Sequence, residues 1–197
     1  MEMKKLAVVL TLLWVVALFS TVAQAGFLDP EVNPGASPFL CNFLDSQNYH
    51  EWEFDYSEPI LIMQESLYST AMDSVVMSGE TDSDPVFNVV KVITNATDIT
   101  WTGYTLTLSG SAAPTFVNGN AGAGGGKFQT VSYLDPTTIE FSGLNPVMSG
   151  EVLTLQFDIN VPTVGLFDFT LAQAPVPEPA TMALLGLGAL ALIRKRG

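Results

Sequence analysis

Residues 153–160 read Leu-Thr-Leu-Gln-Phe-Asp-Ile-Asn, an unbroken alternation of apolar and polar side chains. Neighbouring side chains of a β-strand point to opposite faces, so the alternation puts Leu153, Leu155, Phe157 and Ile159 on one buried face. A helix would need apolar residues three or four positions apart. The stretch therefore predicts a half-buried strand, and the rest of the domain is interpreted from it.

Comparable strand patterns occur along the preceding chain. Residues 51–56 alternate three acidic side chains with three aromatic ones, which predicts a strand with an acidic outer face. Residues 86–93 are apolar on both faces except at Asn88 and Lys91, as in a central strand. Turn-forming residues separate these segments at intervals of about 8 to 12 residues, which is typical of an all-β fold.

One predicted strand changes its apolar phase by one residue at Thr102-Gly103. Ile99 and Trp101 keep the first phase, and Tyr104 begins the second. A β-bulge inserts one extra residue into a strand, and glycine is common at such positions. A bulge here would return Ile99, Trp101 and Tyr104 to a single buried face.

Residues 58–78 fit two structures. Their apolar residues recur at spacings that a helix also shows, and Ser57 and Pro59 would supply a helix start. Serine, threonine and β-branched residues crowd the segment, however, and these favour strands. Strands are predicted here, with a helix as the alternative.

Together these patterns predict an all-β fold, an antiparallel immunoglobulin-like β-sandwich over residues 51–173. Residues 26–50 are expected to be a loose lead-in with one short strand near residues 39–44, and residues 174–179 a linker. Cys41 is the only cysteine, so the Cys-Trp-Cys pattern of true immunoglobulin domains is absent and the prediction concerns architecture alone. A buried, inert thiol is expected at Cys41, with an intermolecular bridge as the alternative.

The N-terminal residues 1–25 have the composition of a secretory signal peptide. Lys4 and Lys5 are followed by an apolar segment, and small residues precede Gly26. Cleavage is expected between Ala25 and Gly26, with a retained N-terminal signal helix as the alternative. The sequence therefore predicts export.

The predicted mature chain is strongly acidic. Residues 26–176 contain two bases, Lys91 and Lys127, against 18 acids, a net charge of −16. Such a surface repels nucleic acid and anionic lipid, which excludes both as predicted partners.

The last 22 residues, 176–197, consist of a proline-flanked segment, an apolar run and a basic end. They are Val176-Pro177-Glu178-Pro179, then residues 180–193, then Arg194-Lys195-Arg196 before the terminal glycine. The prolines predict an extended, exposed segment. As a helix the apolar run would be about 21 Å long, at about 1.5 Å per residue, and basic side chains at its cytoplasmic end can snorkel to the membrane surface. A single transmembrane helix over 180–193 is predicted, with Arg194, Lys195 and Arg196 as its stop-transfer signal.

In motif, order and spacing the tail resembles the PEP-CTERM sorting tail. The resemblance implies that an exosortase recognises Val176, Pro177, Glu178 and Pro179 and removes the helix. It further implies a transient stay in the inner membrane, a final place at the cell surface or in the extracellular matrix, and exopolysaccharide as a candidate partner. An ordinary C-terminal anchor that is never processed is the alternative.

No catalytic residue, metal ligand or cofactor is predicted, and the protein is not expected to be an enzyme. His50 is the only histidine, and no Gly-x-Ser-x-Gly motif is present. A secreted hydrolase is kept as an alternative, and it requires His50 within hydrogen-bond reach of a serine or an acid. Acidic residues at 51–55 and 82–84 could bind calcium, but they lack the spacing of a calcium loop and are interpreted as solvated surface.

Two binding functions are weighed against a structural role. Trp52, Trp101 and Tyr104 could stack on sugar rings, which would make the domain a carbohydrate-binding module, but their phases favour the core. Threonines at positions 100, 102, 105 and 107 resemble an ice-binding face, but the phase slip breaks their array. The leading hypothesis is an exported β-sandwich with a structural or interaction role.

Overall fold

The computed structural model describes residues 26–45, 47–83 and 85–179. The predicted signal peptide at 1–25, the apolar run at 180–193 and the basic end at 194–197 lie outside the described residues. Within the part of the chain that is described, no helix is both long and apolar enough to cross a bilayer.

The described residues form strands joined by turns and loops. In chain order they are β1 (Leu40–Phe43), β2 (Tyr49–Asp55), β3 (Ile60–Leu67), β4 (Asp73–Thr81), β5 (Val86–Asn95), β6 (Trp101–Ser109), β7 (Thr115–Phe116), β8 (Gly122–Ala123), β9 (Thr130–Asp135), β10 (Thr138–Val147), β11 (Val152–Asn160) and β12 (Gly165–Pro177). The predicted all-β class is confirmed over this part of the chain.

The strands make two sheets. Sheet A has the order β1-β4-β12-β6-β10-β9, and sheet B has the order β2-β3-β5-β11-β7, with β8 also paired to β11. Buried apolar side chains from both sheets form one core cluster. The tail-proximal strand β12 lies between β4 and β6 inside sheet A. It pairs with β4 from Gly165 to Gln173 and with β6 from Thr170 to Pro177, so every part of the strand has at least one neighbour.

One strand pair departs from the predicted antiparallel arrangement. Strands β3 and β5 run parallel, with Leu61 opposite Val89 and Glu65 opposite Ile93. The strand between them, β4, belongs to the other sheet. The chain therefore leaves sheet B after β3 and returns as β5, and two reversals restore the original direction.

The alternation that predicted β11 is confirmed. Leu153, Leu155 and Ile159 are fully buried, and Phe157 is 1% exposed. The segment at 58–78 also follows the predicted strands, because β3 and β4 alternate buried and half-buried residues along their lengths.

The predicted bulge lies in β6. Gly103 pairs with Val176 and Trp101 pairs with Pro177, so Thr102 is the extra residue. Trp101 and Tyr104 are both fully buried as a result. The expectation that Ile99 would share this buried face is wrong. Ile99 lies before β6 in a turn, and its carbonyl accepts hydrogen bonds from the side chains at 95 and 97.

The short strand expected near residues 39–44 is present as β1, but the segment that precedes β2 is packed against the sandwich, where a loose lead-in was expected. Phe27 is 6% exposed and forms a β-bridge with Thr81. Its ring contacts Phe54, Phe87 and Phe167, with centroid distances between 5.2 and 5.7 Å. Burying an aromatic ring among others is favourable enough to fix the start of the described chain in place.

Candidate functional site

The predicted sorting motif continues directly from β12. Val176 and Pro177 end the strand, and the amide of Glu178 donates a hydrogen bond to the carbonyl of Thr100 at 2.9 Å. Residues 176–179 are exposed. The motif is therefore extended and exposed, as the prolines predict, but it lies along β6 where a linker was expected.

One edge of the sorting motif, the side away from β6, is not paired with a strand. Pairing of β12 with β4 ends at Gln173 opposite Asp73, while pairing with β6 continues to Pro177. The backbone nitrogens of successive residues in a strand point to opposite sides. Because the amide of Glu178 points to β6, the nitrogens of Pro175 and Pro177 point to the unpaired side. Proline lacks an amide hydrogen and is tolerated at such an edge, where it also discourages pairing with another strand.

A group of polar side chains, here called the core polar cluster, lies between the two sheets just before the motif. It consists of Glu65, Asp73, Lys91, Tyr104 and Gln173. None of the five is more than 3% exposed. Buried charges require partners, and these residues provide them for one another.

The centre of the core polar cluster is the Glu65 carboxylate. Lys91 Nζ donates to its Oε1 at 2.5 Å, and Gln173 Nε2 donates to its Oε2 at 2.8 Å. Tyr104 Oη donates to Gln173 Oε1 at 2.6 Å. One carboxylate thus contacts an amine from sheet B and a side-chain amide from sheet A.

Asp73 extends the cluster toward the N-terminal strands. Its Oδ2 lies 3.4 Å from Gln173 Nε2, 3.2 Å from Asn48 Nδ2 and 3.3 Å from His50 Nε2. Its Oδ1 accepts a hydrogen bond from the backbone amide of Ser74. Both carboxylates of the cluster are therefore partnered in the interior.

Burial controls the protonation of two nearby groups. Burial raises the pKa of the Tyr104 phenol well above its ordinary value, and the charges of Glu65 and Asp73 add to the effect. Burial also raises the pKa of the Cys41 thiol to about 12, with Lys91 partly opposing and Glu65 reinforcing the shift. A thiol in this state is a poor nucleophile at neutral pH, in line with the inert cysteine that the sequence favours.

The sequence patterns do not single out the core polar cluster as a site. Its one signal is Lys91, which together with Asn88 interrupts an otherwise apolar run at residues 86–93. Glu65 and Asp73 stand in a segment of ambiguous pattern, and Gln173 occupies an inward position of β12 that follows Leu171. Their convergence depends on the pairing of sheets, which alternation alone does not determine.

His50 lies inside the protein beside these residues. Its side chain is 6% exposed, its ring stacks on Phe43 at a centroid distance of 4.0 Å, and its Nδ1 is 3.9 Å from Glu65. Its Nε2 lies 3.3 Å from Asp73 Oδ2, but neither ring nitrogen makes a hydrogen bond to any of the described residues. Among the described residues, no hydroxyl group donates to or accepts from either ring nitrogen.

Two of the three aromatic side chains considered for sugar binding lie in the core. Trp101 and Tyr104 are fully buried, and Trp52 is half-buried and packs against the core cluster. Of the threonines, Thr102 is the bulge residue, and Thr105 and Thr107 are half-buried with Ala174 and Ala172 beside them.

The acidic positions considered for calcium lie on the surface where the structure describes them. Glu51, Glu53 and Asp55 are exposed on the edge strand β2, and Asp84 lies outside the described residues. Over residues 26–45, 47–83 and 85–179, no group of three or more histidine, cysteine or acidic side chains is arranged to hold a metal ion.

Comparison with known proteins assigns the tail. Residues 175–196 match the PEP-CTERM protein-sorting motif family. No curated protein and no solved structure matches the chain. The matched segment begins at Pro175, inside β12, and includes all of the predicted Val-Pro-Glu-Pro residues. The chain therefore carries a PEP-CTERM sorting motif at its C-terminal tail, which implies an exported protein that an exosortase processes and sorts to the cell surface.

Proposed function

We propose that the protein is a structural or interaction component of the cell surface or extracellular matrix, an immunoglobulin-like β-sandwich delivered by its PEP-CTERM tail. In this proposal the protein catalyses no reaction. The observation that carries it is the continuity of β12 with the sorting motif. A strand held between β4 and β6 connects the whole domain to whatever anchors the tail.

The negative charge supports a role at the cell surface and limits the class of partner that the domain can bind. With two bases against 18 acids over residues 26–176, the domain stays soluble and resists nonspecific adhesion to anionic surfaces. Exopolysaccharide is the proposed partner, and a neutral polymer suits this surface better than an acidic one. Before processing, the 180–193 helix would hold the protein in the inner membrane, with the basic end in the cytoplasm.

Sorting is tested by two changes in the motif, made in the native host. Glu178→Gln removes the carboxylate and keeps the shape, while Pro177→Ala with Pro179→Ala keeps the carboxylate and frees the backbone. Both should leave a larger, uncleaved form in the inner membrane, measured by intact mass and fractionation. Glu53→Gln is the matched control, because it makes the same change at an exposed position on β2 and should be processed normally.

The basic end gives a different result under the same hypothesis. Replacing Arg194, Lys195 and Arg196 by serine removes the stop-transfer signal, so intact protein should appear in the soluble fraction. If all of these variants match the parent in mass and in fraction, the segment is a plain hydrophobic anchor and the sorting proposal is wrong.

A further inference from the structure

We propose that Lys91 and Gln173 become joined by a side-chain amide bond that forms inside the folded domain, with loss of ammonia. The bond would tie β5 of sheet B to β12 of sheet A, immediately before the sorting motif. It goes beyond the proposed function, and its chemistry does not depend on how the tail is processed.

Lys91 is the nucleophile. It is fully buried, although it is one of only two bases in residues 26–176, and the other, Lys127, pairs near the surface with Glu151 at 2.6 Å. Lys91 Nζ contacts Glu65 Oε1 at 2.5 Å and Met63 Sδ at 3.5 Å. Moving its proton to Glu65 removes two charges from an apolar interior and leaves a neutral amine, the form that attacks a carbonyl carbon.

Gln173 is the electrophile. Its side chain is 1% exposed, and Tyr104 donates a hydrogen bond to its Oε1 at 2.6 Å. As Lys91 Nζ attacks Cδ of Gln173, negative charge develops on this oxygen, and a donor already in place stabilises it. Because burial raises the pKa of Tyr104, the phenol keeps the proton that it donates.

Glu65 is the proton shuttle, since its two oxygens contact both reacting groups. The Glu65 carboxyl, protonated by Lys91, gives a proton to Nε2 of Gln173, which leaves as ammonia. Its carboxylate then takes a second proton from the nitrogen that attacked. One C–N bond forms and one breaks, no oxidant is needed, and Glu65 ends protonated as it was at the moment of attack.

The proposed bond lies where force on the tail would enter the domain. Force applied through an anchored tail reaches the domain first at the end of β12, where the strand has only β6 as a neighbour. A bond at Gln173 would pass that force to the central strand β5 through covalent links. The chain contains one cysteine and therefore forms no disulfide within itself that could do the same.

Trypsin digestion of the denatured mature protein from its native host tests the bond. Trypsin cuts after free lysine and spares lysine whose amine is acylated. The linked protein should resist cleavage at Lys91, and its fragments on either side of Lys127 should remain joined, with a summed mass lighter by one ammonia. Glu65→Gln and Tyr104→Phe should lose or slow the bond and restore cleavage at Lys91.

Glu151→Gln is the matched control, because it removes the acid beside the other lysine and should leave the bond intact. Cleavage at Lys91 in the parent protein, with fragments at their full sequence masses, would overturn the proposal even if the variants fail to fold. Loss of water in place of ammonia would also overturn it, since that mass assigns the bond to a carboxyl side chain and not to the amide of Gln173.

Discussion

Phe157 and Asp158 are neighbours in β11 whose side chains point to opposite faces of sheet B. Phe157 is 1% exposed and contacts the ring of Phe116 at 5.6 Å. Asp158 faces outward and accepts hydrogen bonds from Asn88 at 2.6 Å and Asn120 at 2.8 Å. The two positions therefore test the register of the strand with substitutions one residue apart.

Phe157→Asp should prevent folding, because it leaves a cavity and buries an unpaired charge, where loss of the ring alone costs about 3–5 kcal/mol. Asp158→Leu should cost less, about 0.5–1.5 kcal/mol for each of two hydrogen bonds. Urea unfolding of both variants against the parent measures the difference. Equal losses of unfolding free energy would mean that the register of β11 is wrong.

Individual core residues were predictable wherever a local pattern determines which face a side chain takes. Phe157 follows from alternation, and the burial of Trp101 and Tyr104 follows from alternation plus a one-residue bulge. The contacts of Lys91 with Glu65 and of Tyr104 with Gln173 were not predictable, because each joins elements whose pairing is set by the tertiary fold.

At the scale of elements, the junction of β6 and β12 determines how the sorting motif is presented. The bulge at Thr102 lets Gly103 pair with Val176 and lets Trp101 pair with Pro177. The bulge was predictable from the phase slip, but the docking of the motif beside it was not. Proline signals an extended backbone, and it carries no information about which neighbour that backbone will lie against.

Gly103→Ala should loosen the motif from the sheet. A Cβ at this position would lie 3.0 Å from the Phe141 carbonyl oxygen and 3.4 Å from Cβ of Val176, so a strand must shift. The amide of Glu178, which bonds to Thr100, should then exchange its hydrogen faster. Gly122→Ala is the control, since its Cβ would meet nothing within 4 Å. Unchanged protection of Glu178 in Gly103→Ala would contradict the role assigned to this junction.

Across the whole molecule, the two bases of residues 26–176 are both engaged with carboxylates. Lys91 contacts Glu65 in the core, and Lys127 contacts Glu151 and the Pro146 carbonyl nearer the surface. The remaining surface is acidic, and its carboxylates repel one another at neutral pH. Net charge of this size opposes the compact state.

Local hydrogen bonds to carboxylates offset part of this repulsion at neutral pH. Hydrogen bonds from Ser57 lower the pKa of Asp55, those from Thr137 lower the pKa of Asp135, and a hydrogen bond from Lys127 lowers the pKa of Glu151. A carboxyl group whose pKa is lowered by folding stabilises the folded state at any pH above its ordinary, unfolded-state pKa. That stabilisation is lost as the pH falls through the lowered, folded-state pKa. Acid therefore removes these contributions while it relieves the general repulsion.

Salt separates the two effects and gives the prediction for the whole molecule. Raising the ionic strength from 0.01 M to 1 M shortens the Debye length from about 30 Å to about 3 Å, which screens repulsion among exposed carboxylates.

At neutral pH the melting temperature should rise with added sodium chloride, because repulsion outweighs attraction at 18 acids to two bases over residues 26–176. The same salt series at about pH 3, where most carboxylates are protonated, is the control and should raise the melting temperature much less. A melting temperature that falls with salt at neutral pH would mean that ion pairs, and not self-repulsion, dominate the electrostatics of this domain.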